Sequence, residues 1–89
     1  MRFVWDERKA ILNLRNHGVG FEEAATVFSD PLALVIEDAS HPENARIIGE
    51  SEGARLLLVV FVERDVAALR LISARRASRH ERRRYEEGE

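Results

Sequence analysis

The stretch Leu56-Leu-Leu-Val-Val-Phe-Val62 constrains the fold more than any other part of this chain. An unbroken apolar run cannot alternate between core and solvent, so as a strand it is covered on both faces and lies at the centre of a sheet. It is far shorter than the roughly 20 residues a helix needs to span a bilayer. A polar turn at Ser51-Glu-Gly-Ala54 precedes it and another at Glu63-Arg-Asp-Val-Ala67 follows. Strands are expected beyond both turns, at Ala45–Glu50 and Ala68–Ala74. Successive strands joined by short polar turns read as an antiparallel meander. A further strand is expected over Leu32–Glu37, with a polar loop at Asp38–Asn44 between it and the meander. Gly49, inside an otherwise regular strand, marks a bulge or a close approach of another element.

Two helices precede the sheet. Phe3-Val-Trp5 is a short strand, Asp6 is an N-cap, and a helix is predicted from Glu7 to His17, ending at Gly18. Ala10, Ile11 and Leu14 form its apolar stripe. Lys9, Asn13 and His17 recur at i, i+4 and i+8 and so share another face, either solvated or functional. Val19–Phe28 reads as a second helix, with Phe21, Ala24, Ala25 and Phe28 at core spacing. It ends at Ser29-Asp-Pro31 because a residue before proline leaves the helical region. These helices are expected to cover one side of the sheet, with their aromatics as core anchors. At 89 residues, the chain is read as one domain, 1–89, with a small core.

Charge separates along the chain. The net charge is −2, and there is no cysteine, which excludes disulfides, thiolate nucleophiles and cysteine zinc sites. The N-terminus lacks the apolar core of a signal peptide, so a cytoplasmic protein with no membrane association is expected. Residues 64–89 hold eight arginines against five acids, a net of +3, while residues 1–63 carry a net of −5. A basic C-terminal segment on an acidic body suits RNA or an acidic partner. Arginine's planar fork also suits phosphate better than lysine's point charge. Ser78-x-x-Glu81 is a capping box that starts a terminal helix. Arg79, Arg82, Arg83 and Arg84 crowd its beginning and Glu86 and Glu87 its end, against the helix dipole. With Tyr85 as its single large non-polar side chain, this helix must lean on the sheet or on a partner.

The histidines His17, His41 and His80 show no metal-ligand spacing, and no serine sits in a glycine-flanked nucleophile turn. No metal and no cofactor is expected. In a regular strand, Leu69, Leu71, Ser73 and Arg75 share one face and Arg70, Ile72, Ala74 and Arg76 the other. Arg64, at the end of the neighbouring strand, is expected near this region. RNA offers a reaction suited to such groups, because its 2′-hydroxyl is a built-in nucleophile. Arginines stabilise the charge developing on phosphorus, and Lys9, His17, Glu63 or Tyr85 are candidates to move protons.

Several motifs then combine in order: Phe3-x-Trp5-Asp6-x-x-Lys9, Asn13, His17-Gly18-Val19-x-Phe21-Glu22-Glu23-Ala24, Val27-Phe28-x-Asp30-Pro31, Glu63-Arg64, Arg70-x-Ile72-Ser73-Ala74-Arg75-x-Ala77 and Glu81-Arg82-x-x-Tyr85. This series resembles the BrnT family of toxins from type II toxin–antitoxin systems. The resemblance implies an α+β, RelE-like ribonuclease fold. Its small antiparallel sheet of four to five strands is covered by two N-terminal helices, with a short C-terminal helix. It implies RNA cleavage that blocks translation and neutralisation by a BrnA-like ribbon-helix-helix antitoxin. The expected complex is a heterotetramer of two toxins and two antitoxins that represses its own operator DNA through the antitoxin. The motif positions carried over are Lys9, Asn13, His17, Arg64, Arg70, Arg75 and Tyr85. Arg64, Arg75 and Arg70 are the expected phosphate and transition-state contacts, with Lys9 and His17 in proton transfer. Arg76, Arg79, Arg82, Arg83 and Tyr85 are the expected RNA-binding residues, with Tyr85 stacking on a base. One departure is Gly20, where a Ser-type cap is expected. The competing readings are a non-catalytic binding module and a decayed toxin retained as antitoxin partner and co-repressor.

Overall fold

A computed structural model describes every residue except Val66 and Glu89. The elements are β1 (Arg2–Val4), α1 (Glu7–His17), α2 (Phe21–Thr26), β2 (Leu34–Glu37), β3 (Ala45–Glu50), β4 (Leu56–Asp65), β5 (Ala68–Arg76) and α3 (Arg79–Glu87). A 3-10 turn, Val27–Ser29, continues α2. The strands form one sheet in the order β1-β5-β4-β3-β2. The apolar run is therefore central, with two strands on either side. The α+β class and the β2–β5 antiparallel ladder are as expected. One detail differs: β1 pairs parallel to β5, so the sheet is mixed. This follows from chain path, since α1, α2 and three strands separate the two partners and give room for a crossover. Strand bounds also shift. β2 starts at Leu34, and β4 and β5 run on to Asp65 and Arg76. The turn predicted over 63–67 includes Val66, which lies outside the described residues.

The main core lies between the sheet and the two N-terminal helices, where Val19, Phe21, Ala24 and Val27 meet Ile47, Leu57, Val59, Phe61, Leu69, Leu71 and Ala74. Phe28 stacks edge-on against Phe61 at 5.0 Å, and Trp5 meets Phe21 at 5.9 Å, the tilted contacts that aromatic quadrupoles favour. Gly49 answers the expectation of a close approach, without a bulge. A Cβ there would stand 2.7 Å from the Val27 Cγ1 methyl and 3.1 Å from the Ala33 Cβ. Glu23 of α2 accepts from the Arg55 guanidinium and the Ser51 hydroxyl, which staples α2 to the β3–β4 turn.

α1 is capped as its sequence predicts. The Asp6 side chain accepts from the Lys9 N–H at 3.1 Å, and Gly18 closes the helix in the left-handed conformation. Its packing inverts the expectation, however. Ile11 and Leu14, read as the buried stripe, are 57% and 56% exposed, while Asn13 is 6% exposed. Among the described residues, no helix is long and apolar enough to cross a membrane.

Candidate nucleic-acid interface

On the face of the sheet opposite α1 and α2, a small cluster of Ile48, Leu56 and Leu58 is covered by Tyr85 of α3 and by Ala77 in the link that leads into it. Residues directly opposite on adjacent strands point to the same side of a sheet. Val59 pairs with Ala74 and Phe61 with Leu71, all four in the main core. Two residues, Ile72 and Ser73, lie between Leu71 and Ala74 where strict alternation allows one. Ser73 pairs with Val60, and Ile72 is the extra residue of a bulge. The bulge reverses the phase of β5. Arg70, opposite Val62, and Arg75, opposite Leu58, therefore share the open face. The alternation read from sequence had set them on opposite faces, and this is corrected. Arg76, opposite Leu57, turns to the helical side, where its charge acts on Glu23.

Arg75 is held by a two-pronged ion pair: its Nη1 and Nη2 donate to the two Glu81 carboxylate oxygens, each at 2.9 Å. This fork, opposed by burial and helped by the Ser78 N–H, pulls the Glu81 carboxyl from 4.5 to about 2. The capping box is present, with Ser78 accepting from the Glu81 N–H and Glu81 accepting from the Ser78 N–H. Farther along α3, the Tyr85 hydroxyl donates to Asp30 Oδ2 at 2.7 Å. The Asp30 carboxylate, with burial adding to it, pushes the Tyr85 phenol up to about 12. Tyr85 is thus a protonated anchor at neutral pH, with its ring against the second cluster. The terminal helix leans on the sheet, as its polarity required.

The helical stripe separates into unlike parts. Lys9 and His17 are exposed. Asn13 is a clamp: its Nδ2 donates to the Val19 and Ala74 carbonyls at 2.9 and 2.8 Å, and its Oδ1 accepts from the Ala74 N–H at 3.0 Å. Near Lys9, the backbone N–H of Lys9 holds the Asp6 carboxyl below the usual range. The Arg8 backbone and then the Arg70 and Lys9 charges contribute less. The charges of Arg70 and Lys9 thus both act on Asp6. Arg64 is the extra residue of a second bulge, between Glu63 and Asp65. Six residues along β4 from Leu58, the partner of Arg75, it stands about 20 Å from that end. Arg64 thus lies at the Arg70 end of β5, away from Arg75 and Arg76.

At the opposite end of the sheet, Arg76 and Arg82 join Arg55 around a recess of about 170 Å³, while Arg79 and Arg83 project from α3 as exposed side chains. A larger cavity of about 590 Å³ is lined by Glu37, Asp38, Glu43 and Glu63 among others. Its carboxylates repel phosphate, so volume does not locate the interface. No cluster of three or more histidines or carboxylates suited to a metal occurs among the described residues.

One residue of this face escaped the sequence reading. Arg46 of β3 lies between Ile36 and Val60 across the strands, with Ser73 one strand farther. Its Nε is buried and has no hydrogen-bond partner. A buried donor left unpaired costs about 1–3 kcal/mol. The available signal was alternation: once Ile47 is given to the core, Arg46 belongs to the opposite face.

Comparison with known proteins adds to this geometry. The chain matches the family model described as ribonuclease toxin, BrnT, of type II toxin–antitoxin system over residues 5–81. The fold is similar to the crystal structure of the Brucella abortus ribonuclease toxin BrnT, with a TM-score of 0.73 and 31% sequence identity. That similarity covers 89% of this chain and 99% of the Brucella chain. No curated protein matches. A match over most of the chain, joined to the same fold, shows that the protein belongs to the BrnT family of ribonuclease toxins of type II toxin–antitoxin systems.

Proposed function

We propose that this chain is an endoribonuclease that lays RNA across the open face of its sheet and cleaves it without a metal, thereby blocking translation in the cytoplasm. The observation that carries this reading is the Ile72 bulge, which turns Arg70 and Arg75 to one side. The RNA 2′-oxygen attacks the adjacent phosphorus, the bond to the 5′-oxygen breaks, and a 2′,3′-cyclic phosphate and a 5′-hydroxyl result. The nucleophile belongs to the substrate, so the protein has to align it, move two protons and stabilise charge. Arg70 and Arg75 face the phosphate oxygens, and Arg64 extends the basic track past Arg70. Lys9, beside Arg70, gives a proton to the leaving 5′-oxygen. His17, about two turns farther along the stripe that meets the β5 edge, takes the proton of the 2′-hydroxyl, its side chain and that of Lys9 converging on one phosphate from that edge. Arg76, Arg79, Arg82 and Arg83 hold flanking phosphates, and Tyr85 acts through its anchoring of α3.

The partner in this reading is a BrnA-like ribbon-helix-helix antitoxin, two copies with two toxins, which carries the complex to operator DNA. Support comes from Ile11 and Leu14, exposed around a recess shared with Trp5 and Phe21. An uncovered apolar patch of this kind suits a protein partner.

A second reading, a basic face that only docks, is favoured by one observation: Arg75 is already taken by Glu81. Incubating the purified protein with RNA in EDTA separates the two. Cut ends bearing a cyclic phosphate and a 5′-hydroxyl are expected. Intact RNA, retained in a salt-sensitive manner, would instead support the docking reading.

A further inference from the structure

We infer that Arg46 is a phosphate-binding residue of the RNA track, placed at the centre of the open face where the motif arginines leave a gap. The inference deepens the ribonuclease reading and rests on it for the identity of the anion. The cross-strand register defines the geometry. Arg70, Ser73 and Arg75 stand on β5 opposite Val62, Val60 and Leu58, and Arg46 stands opposite Val60 from the other side of β4. Strand and residue spacings then put Arg70 and Arg75 about 13 Å apart, and Arg46 about 12 Å from each. The three arginines enclose a floor made by Val60 and Ser73. A side chain as long as arginine's reaches the middle of this triangle from each corner, so an anion seated there meets Arg46 and Arg70, and Arg75 once it leaves Glu81.

The state of Arg46 argues for a missing partner. Its in-row neighbours on β2 and β4 are Ile36 and Val60, and the next residue on its own face is Ile48. None of these accepts a hydrogen bond. The nearest carboxylate along its strand on that face is Glu50, four residues away. Arg75, by contrast, already has Glu81, and Arg55 has Glu23. The residue as a whole is only half-buried, so beyond the buried Nε its two terminal guanidinium nitrogens form the planar fork, which lysine lacks, toward one phosphodiester group. Buried unpaired donors call for such an explanation. An aliphatic side chain would suit the position better if the sheet had only to fold.

The test uses a single-stranded, fully 2′-O-methylated RNA oligonucleotide, which binds but lacks the nucleophile, and compares the whole protein with its Arg46→Leu, Arg46→Gln and Arg46→Lys variants. Arg46→Leu is expected to melt at the same or a higher temperature and to bind about tenfold more weakly. Its affinity should fall less steeply with salt, by about 0.7 in the logarithmic slope, as for one lost phosphate contact. Arg46→Lys should fall between it and the parent. If the leucine variant does not fold, the glutamine variant carries the comparison. Unchanged affinity and slope in a folded variant would overturn the inference, as would failure of the parent protein to bind the oligonucleotide. Cleavage of unmodified RNA is scored separately. A parent that binds but does not cut, with binding still lost in Arg46→Leu, would sink the ribonuclease reading and leave Arg46 standing.

Discussion

Asn13 lends β5 the two hydrogen-bonding groups that another strand would have supplied at Ala74. β1 pairs with β5 only at residues 68–70, so the rest of that edge needs cover. An amide side chain carries the donor and acceptor of a peptide, and α1 sets it against the Ala74 N–H and C=O. The same Nδ2 also satisfies the Val19 carbonyl as the chain leaves the helix. Three buried backbone groups thus depend on one side chain. Asn13→Ala is expected to cost about 2–3 kcal/mol, read by denaturant unfolding. Lys9→Ala, on the same helical stripe but exposed, should stay within about 0.5 kcal/mol. Equal effects of the two would refute the clamp. The spacing of Lys9, Asn13 and His17 was legible in the sequence, but the division of labour within it was not. Helical periodicity identifies a shared face without saying which member meets another element.

At the scale of elements, α3 is a polar helix made stable by three attachments: its capping box, the Tyr85–Asp30 bond and the Arg75–Glu81 fork. The last also sets a competition. If Arg75 binds phosphate, Glu81 must give it up. Glu81→Gln is therefore expected to bind RNA several-fold more tightly than the parent, while Glu87→Gln, an exposed control on the same helix, changes little. It should also destabilise the fold by only about 1 kcal/mol, because Arg75 is itself substantially exposed. The sign of the pH effect follows from the depressed carboxyl. The fork's contribution is complete above pH 4.5 and is lost as pH falls through about 2. Parent and Glu81→Gln stabilities should converge across that window, and a constant gap would contradict the account. The bulge at Ile72 is the element that sequence could not disclose. Ile72 and Ser73 both have ordinary strand chemistry, and nothing in Leu69–Arg76 marks where alternation breaks. The central run, the turns around it and the capping box were all legible, because each depends on neighbours within a few residues. The parallel pairing of β1 depends on the far end of the chain.

For the whole molecule, the sheet separates two tasks. One face and its helices form the main core, and the other carries Arg46, Arg70 and Arg75 across three central and flanking strands. The chain's net charge of −2 hides this division, since acids gather around the cavity of Glu37, Asp38, Glu43 and Glu63, which borders the arginine track at Arg64. The family match places the chain among the ribonuclease toxins, and the open face is where the proposed chemistry lies. Arg70 gives the cleanest test, because among the described residues it forms no ion pair of the Arg75 kind, and its removal leaves α3 attached. The decisive measurement is kcat/KM for RNA cleavage by Arg70→Ala whose melting temperature matches the parent. The account predicts a loss of about 100-fold or more, as for removing one group that faces transition-state charge. Undiminished cleavage by that folded variant would contradict it.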